Sequence, residues 1–210
     1  CQKYERQDRP DGLAIYPAMG ALRPDFFVNT GDVVYFDHGP VIALTPALAR
    51  FHWARMFALP TLRDFHRNHS SFFMKDDHDT LANDCGPASR SGELTYAEGV
   101  RIFREQTGLP EVANRTFRWG RDLQVWLMEG RDYRTPDREA SRGSAPTLWG
   151  PAQIKWLGET LAASTATFRV ILTTVPVVGP DRSNKDDNYA NAGFAFEGNQ
   201  VRALLARHRH

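Results

Sequence analysis

Short apolar runs alternate with longer stretches of helical period along this chain. The runs at 26–28, 71–74 and 168–178 predict strands, and the last is expected to be buried on both faces because it is continuous and β-branched. Paired strands are predicted around Gly120, in TFRWG and DLQVWLME. Helices are predicted at 45–67 with a break at Pro60, at 95–108, at 150–164 and at 199–208. This alternation predicts an α/β layered domain.

Composition limits the class of protein further. The chain has 210 residues, of which 41% are hydrophobic and 24% charged, and this is typical of one globular domain over 1–210. A net charge of +1 gives no reason to expect a nucleic acid or a membrane surface as partner. No apolar run approaches the roughly 20 residues that span a bilayer.

Polar residues follow the first two predicted strands directly. Gly31-Asp32 comes after the strand at 26–28, and Asp76-Asp77-His78-Asp79 follows the strand at 71–74. The carboxyl ends of strands are where α/β proteins usually place their sites. Three carboxylates around one imidazole repel each other unless a cation offsets their charge. A metal site is therefore one interpretation of this cluster.

Each polar residue has a role in that interpretation. Asp32 is placed to bridge two metals, Tyr35 to bind as a phenolate, and Asp77 to hold a second ion. His78 would protonate a leaving group or stabilise negative charge. The planar fork of Arg131 suits a phosphate or sulfate oxyanion.

Taken singly, the same residues have ordinary structural interpretations. Asp32 is typical of a turn, Tyr35 of a core or rim aromatic, and Arg131 of a surface salt bridge. Residues 76–79 are also compatible with a solvated acidic loop or a helix N-terminus. Cys1, as a terminal residue, carries little information alone. The order of the signals along the chain favours the metal site.

Five sequence segments together resemble one family. GDVVY matches the G-D-x-x-Y signature of the purple acid phosphatases and of the PhoD-like alkaline phosphatase group, both calcineurin-like metallophosphoesterases. The opening CQ resembles the Ser-Cys-Gln of the PhoD-like group, and DDHD resembles its D-D-H-E loop. WLMEGRDYR resembles the segment L-D-x-R-x-Y-R, and LWGPAQIKWL resembles L-G-x-x-Q-x-x-W-L. The resemblance to PhoD-like phosphatases and phosphodiesterases covers almost the whole chain.

This resemblance implies an αββα sandwich with a mixed metal centre. Cys1, Asp32 and Tyr35 would match the ligands of an iron(III) site, and Asp32 would bridge to a second metal, expected to be calcium, although other divalent metals fit as well. Asp77 would match the ligand of that second metal. Thiolate and phenolate favour a trivalent ion, and carboxylates suit calcium.

The resemblance also implies a reaction, the hydrolysis of small-molecule phosphate esters by a metal-bound hydroxide. His78 would match the catalytic histidine, and Arg131 the arginine that binds the phosphoryl oxygens. Asn188 is a further substrate-binding candidate, although it lies in the polar segment 184–189, which is interpreted first as a solvated loop. Export or a periplasmic location is expected from the family alone.

The sequence departs from the family pattern in three places. No G-D-x-H loop occurs before His210, and the strand that carries Cys1 is missing upstream. An incomplete catalytic domain is therefore expected. Glu129 stands where the family usually has Asp, and this longer side chain would alter the surroundings of the arginine.

Two other functions are compatible with the sequence. One is a non-catalytic domain that keeps the fold and binds an anion or a carbohydrate. The other is a related hydrolase that acts on sulfate esters or phospholipids, with specificity set by loops such as 37–45 and 136–147.

Overall fold

The computed structural model describes residues 2–135, 146–179, 188–190 and 193–208. The chain divides into two compact units, Cys1–Glu111 and Val112–His210. Both units contain helices and strands, as the α/β prediction requires. The prediction of one domain over 1–210 is not tested by this division and stays a prediction.

The first unit is built around a pair of parallel strands. Its elements are a 3₁₀ turn at Tyr4–Arg6, helices α1 Ile15–Ala21, α2 Pro46–Phe57, α3 Pro60–Asn68 and α4 Tyr96–Thr107, and strands β1 Phe26–Asn29, β2 Ser70–Phe73, β3 Arg90–Ser91 and β4 Leu94–Thr95. β1 pairs with β2 in register, from Phe26 opposite Ser70 to Asn29 opposite Phe73. The carboxyl ends of both strands therefore lie side by side.

The predicted helix boundaries are confirmed by their caps. Thr45 Oγ1 accepts a hydrogen bond from the Leu48 amide at 3.3 Å, and Thr95 Oγ1 accepts one from the Glu98 amide at 3.2 Å. α4 ends at Gly108, whose φ of +67° suits a left-handed helix cap. The predicted break at Pro60 separates α2 from α3.

The loop after β1 is anchored in the core of the first unit. Val33, Val34 and Phe36 are at most 1% exposed and pack with the buried side chains of the helices, such as Trp53 of α2. Apolar side chains thus hold the backbone on both sides of Tyr35. A loop fixed in this way can keep polar side chains in a defined position.

The second unit contains a three-stranded sheet and two helices. Its elements are β5 Arg115–Trp119, β6 Leu123–Leu127, α5 Pro151–Ala163, β7 Phe168–Leu172 and α6 Ala195–Arg207. β5 and β6 are antiparallel around the predicted turn, and β6 pairs with β7 in parallel. The core contains Trp126, Trp149, Leu157, Phe194 and Val201. α6 begins four residues before the predicted start at 199.

The prediction for the last strand was wrong in length and in burial. β7 ends at Leu172, and its Phe168 and Val170 are 65% and 40% exposed. Within the described residues β7 pairs only with β6. Beyond its end, the hydroxyl of Thr173 bonds the backbone of Val175 instead of allowing a sheet ladder to continue. A continuous β-branched run therefore did not imply two buried faces.

Every helix in the described part of the chain is too short or too polar to span a membrane.

Candidate metal centre

Two loops meet at the carboxyl ends of β1 and β2. The Met74 amide bonds the Asn29 carbonyl at 2.9 Å, which continues the strand pairing by one residue. The side chain of Asn29 accepts the Gly31 amide at 2.9 Å and turns the chain. Asp32 then takes a φ of +54°, a conformation that is uncommon for residues other than glycine and is often found at functional sites.

Asp32, Asp77 and His78 converge where these loops meet. One donor atom from each of the three lies within 4.8 Å of the others. Asp32 is 8% exposed and Asp77 4% exposed, so this is not the solvated acidic loop that the sequence also allowed. Two carboxylates so close together in a buried position repel each other unless a cation or a proton compensates.

Tyr35 belongs to the same cluster. Its hydroxyl donates to Asp32 Oδ2 at 2.6 Å, and its ring stacks on the imidazole of His78 with centroids 4.3 Å apart. Burial, followed by the hydrogen bond with Asp32, raises the pKa of Tyr35 above its usual range. Ionisation of this phenol therefore requires a strong positive charge next to it.

Asp79 fixes the two loops to one another. It is fully buried, and it accepts the Val33 amide at 3.1 Å from one loop and the Asp76 amide at 2.8 Å from the other. Burial, with a further contribution from the charge of Asp32, raises the pKa of Asp79 to about 8. The sequence places Asp79 in the acidic cluster, but its position there predicts no role for it.

Asp37 orients His78, and the sequence did not predict it as a site residue. Its Oδ1 accepts a hydrogen bond from His78 Nδ1 at 2.7 Å, and its Oδ2 accepts the Asn83 amide at 3.0 Å. Burial lowers the pKa of His78, but the bond to Asp37 and the charges of Asp77 and Asp32 outweigh it, so the net shift is upward. The adjacent Asp37 and His38 are the only local sign in the sequence that this loop carries polar groups for the site.

Arg131 and Asn188 lie in the second unit, and both are buried. Arg131 is 3% exposed, which excludes the surface salt bridge considered for it. Glu129 Oε1 accepts the amides of Arg131 at 2.6 Å and Asp132 at 3.1 Å, so it holds the turn that carries the arginine. Gln153 of α5 in turn bonds both backbone groups of Glu129.

The solvated-loop interpretation fails at the described end of segment 184–189. Asn188 and Tyr189 are each 1% exposed, and Tyr189 packs against Trp149 and donates to Glu197 at 2.7 Å. Residues 184–187 lie outside the described residues, as do Cys1 and most of the predicted specificity loop 136–147. The iron-ligand role of Cys1 stays a prediction.

The comparisons with known proteins decide the family. A family model described as PhoD-like phosphatase matches residues 1–207. The chain belongs to the PhoD-like phosphatase family. The resemblance found in the sequence is thereby confirmed.

A solved structure shows the same fold. The structure entitled "Structure of PhoD" matches with a TM-score of 0.79 at 18% sequence identity, over 99% of this chain and 47% of that chain. This likeness confirms the predicted α/β fold class. No curated protein matches the chain.

The donor set suits the metals that a phosphatase of this metal-dependent family needs. Asp32 and Asp77 offer carboxylate oxygens, Tyr35 a phenol oxygen and His78 an imidazole nitrogen. Oxygen donors of this kind bind hard cations. The observed side chains therefore fit a bound cation at the ends of β1 and β2.

Proposed function

We propose that this chain takes part in the metal-dependent hydrolysis of small-molecule phosphate esters. The observation that supports the proposal is the convergence of Asp32, Asp77 and His78 in a buried position at the ends of two paired strands. Family membership supports the same reaction class. The metals would supply an activated water and neutralise charge on the phosphoryl oxygens.

The side chains have separate roles in this proposal. Asp32 and Tyr35, with Cys1, would hold iron(III), and Asp77 would hold calcium together with Asp32. Asp32 is suited to this position because it is buried, lies beside Asp77 and His78, and accepts the Tyr35 hydroxyl at 2.6 Å. Another divalent ion in place of calcium is compatible with these donors.

His78 has the geometry for proton transfer or charge stabilisation. Asp37 holds its Nδ1 at 2.7 Å, and stacking on Tyr35 fixes the plane of the ring. The raised pKa of His78 favours the protonated form, which can donate to a leaving-group oxygen.

Arg131 binds the phosphoryl group in this account, and Asn188 contributes a polar contact to the substrate. The turn of Arg131 is held by Glu129, so the backbone of the arginine is fixed before a substrate arrives. From the family alone, we infer that the protein acts outside the cytoplasm.

The reaction is tested with chromogenic phosphate monoesters and diesters, in the presence of iron and calcium. Hydrolysis should fall by at least about 100-fold in Asp32→Asn and in His78→Gln, since each removes a group that acts in the transition state. Asp64→Asn, at an exposed position on α3, is the matched control and should keep full activity. Undiminished hydrolysis in both site variants would contradict the proposal.

A non-catalytic binding domain would give a different result. It would retain an anion or a carbohydrate without turnover, and at most one structural ion would be present.

A further inference from the structure

A second group of donors lies beside the candidate metal centre. Asp37, His38 and His78 each offer one atom, and these atoms lie within 4.8 Å of one another. We propose that this His–Asp–His group binds zinc or a similar borderline divalent ion. The proposal does not depend on the proposed phosphatase activity, because zinc binding is measured directly and the group shares only His78 with the candidate metal centre.

The distances within the group are close to those of a zinc site. Nδ1 of His38 lies 3.0 Å from Asp37 Oδ1, and Nδ1 of His78 lies 2.7 Å from the same oxygen. Tetrahedral zinc with bonds of about 2.0–2.2 Å separates neighbouring ligand atoms by about 3.3 Å. Each imidazole nitrogen therefore lies about 0.3–0.6 Å closer to Asp37 Oδ1 than two neighbouring ligands of tetrahedral zinc would.

Neighbouring groups hold Asp37 and His78 in place and contact His38. The Asn83 amide fixes Asp37 Oδ2, so that Oδ1 is turned to the imidazoles. The ring of Tyr35 contacts both histidines, stacked on His78 at 4.3 Å and edge-on to His38 at 5.1 Å. Such preorganisation lowers the entropy that is lost on metal binding.

An ion can reach the group from solvent. The side chain of His38 is 42% exposed, whereas those of Asp37 and His78 are 19% and 12% exposed. The group therefore has one accessible ligand and two that are held by the fold. Binding would draw the accessible imidazole of His38 onto the two fixed ligands.

The chemistry of the donors separates this group from its neighbour. Two imidazoles and one carboxylate favour zinc, copper or nickel, whereas the oxygens of Asp32, Asp77 and Tyr35 favour harder ions. His78 belongs to both groups of donors. An ion in the His–Asp–His group would occupy His78 Nδ1 and break its hydrogen bond to Asp37.

Zinc titration followed by calorimetry tests the proposal on the whole chain. Calcium in excess is present throughout, so that the oxygen ligands are occupied by a hard ion. His38→Gln should weaken zinc binding on the order of 100-fold, since even the loss of an outer-shell partner costs about 10–100-fold. His208→Gln, at the end of α6, is the matched control and should bind zinc like the wild type.

Cobalt(II) provides a spectroscopic readout that does not depend on activity. The wild type should develop the visible absorption of nitrogen-bound cobalt, and His38→Gln should not. Equal zinc affinity in His38→Gln and the wild type would overturn the proposal. Loss of zinc binding in Asp32→Asn alone would overturn it too, because the ion would then belong to the neighbouring group.

Discussion

Asp79 shows how a single buried carboxylate can hold a site together without touching a ligand. It accepts one backbone amide from each of the two loops that form the candidate metal centre. Because the side chain is fully buried, water cannot replace either bond if it is lost. The position of Asp32 relative to Asp77 therefore depends on Asp79.

Asp79→Asn tests this role. The amide keeps the shape of the carboxylate, but its nitrogen cannot accept a hydrogen bond, so one of the two backbone amides loses its partner. We expect the free energy of unfolding to fall by about 1–3 kcal/mol. Urea denaturation measures it, with the exposed Asp64→Asn as control. A loss no larger than in the control would show that the two bonds contribute little.

Most residues of the candidate centre were predictable from their place after strands. Asp32, Tyr35, Asp77 and His78 follow β1 and β2 directly, and parallel pairing brings those chain segments together. Asp37 was missed because its partner His78 is 41 residues away in the sequence. A contact of that range is set by the fold and leaves no local pattern.

The turn after β1 requires glycine at one position for a steric reason. Gly31 has a φ of +105°, and a Cβ added there would lie 2.6 Å from the Cβ of Asp76 on the neighbouring loop. Gly108, at the end of α4, also has a positive φ, but a Cβ there would meet nothing within 4 Å. Substitution of Gly108 therefore tests backbone strain alone, whereas substitution of Gly31 tests backbone strain and loop packing together.

Gly31→Ala should therefore destabilise more than Gly108→Ala. Both variants incur about 1 kcal/mol of backbone strain, and Gly31→Ala adds about 1–3 kcal/mol from the clash with Asp76. Thermal unfolding of the two variants, compared with the wild type, gives the difference. Equal destabilisation would mean that the two loops are not packed as closely as described.

His66 on α3 predicts a pH dependence of stability. Its ring packs among Phe57, Phe65 and Phe73, and burial lowers its pKa to about 4. The unfolded chain takes up a proton near pH 6.5, before the folded chain does, so stability falls as the pH drops from about 6.5 to about 4. Since the ring is partly exposed to solvent, we expect a total effect of about 1–2 kcal/mol.

His66→Gln removes the titrating group and tests this expectation. The stability difference between wild type and variant should be constant above pH 7 and should shift in favour of the variant as the pH falls to 4. Urea denaturation at several pH values measures it. A difference that does not change with pH would contradict the lowered pKa.

At the scale of elements, capped helices were predicted well and the last strand was not. Thr45, Thr95 and Gly108 are local signals that act within one turn of helix, so the sequence contains them in full. The burial of β7 depends on what covers each face of the sheet. The apolar sequence of β7 contains no information about which elements cover the two faces of the sheet.

At the scale of the whole molecule, the two units carry different parts of the proposed chemistry. The candidate metal ligands Asp32, Tyr35 and Asp77 belong to the first unit, and Arg131 belongs to the second. The chain spans about half of the matched PhoD structure, 47% of its length. The phosphatase activity is therefore proposed for the whole protein and not for this chain alone. The proposed ligands Asp32, Tyr35 and Asp77 all belong to this chain, so metal binding can be measured on it.

Equilibrium dialysis against iron(III) and calcium, followed by elemental analysis, tests that central claim most directly. The wild type and Asp64→Asn should retain bound metal, and the double variant Asp32→Asn/Asp77→Asn should lose it, because both buried carboxylates are then neutral. Tyr35→Phe should abolish the visible colour of a tyrosinate–iron(III) bond. Metal content unchanged in the double variant, or no metal in the wild type, would contradict the account.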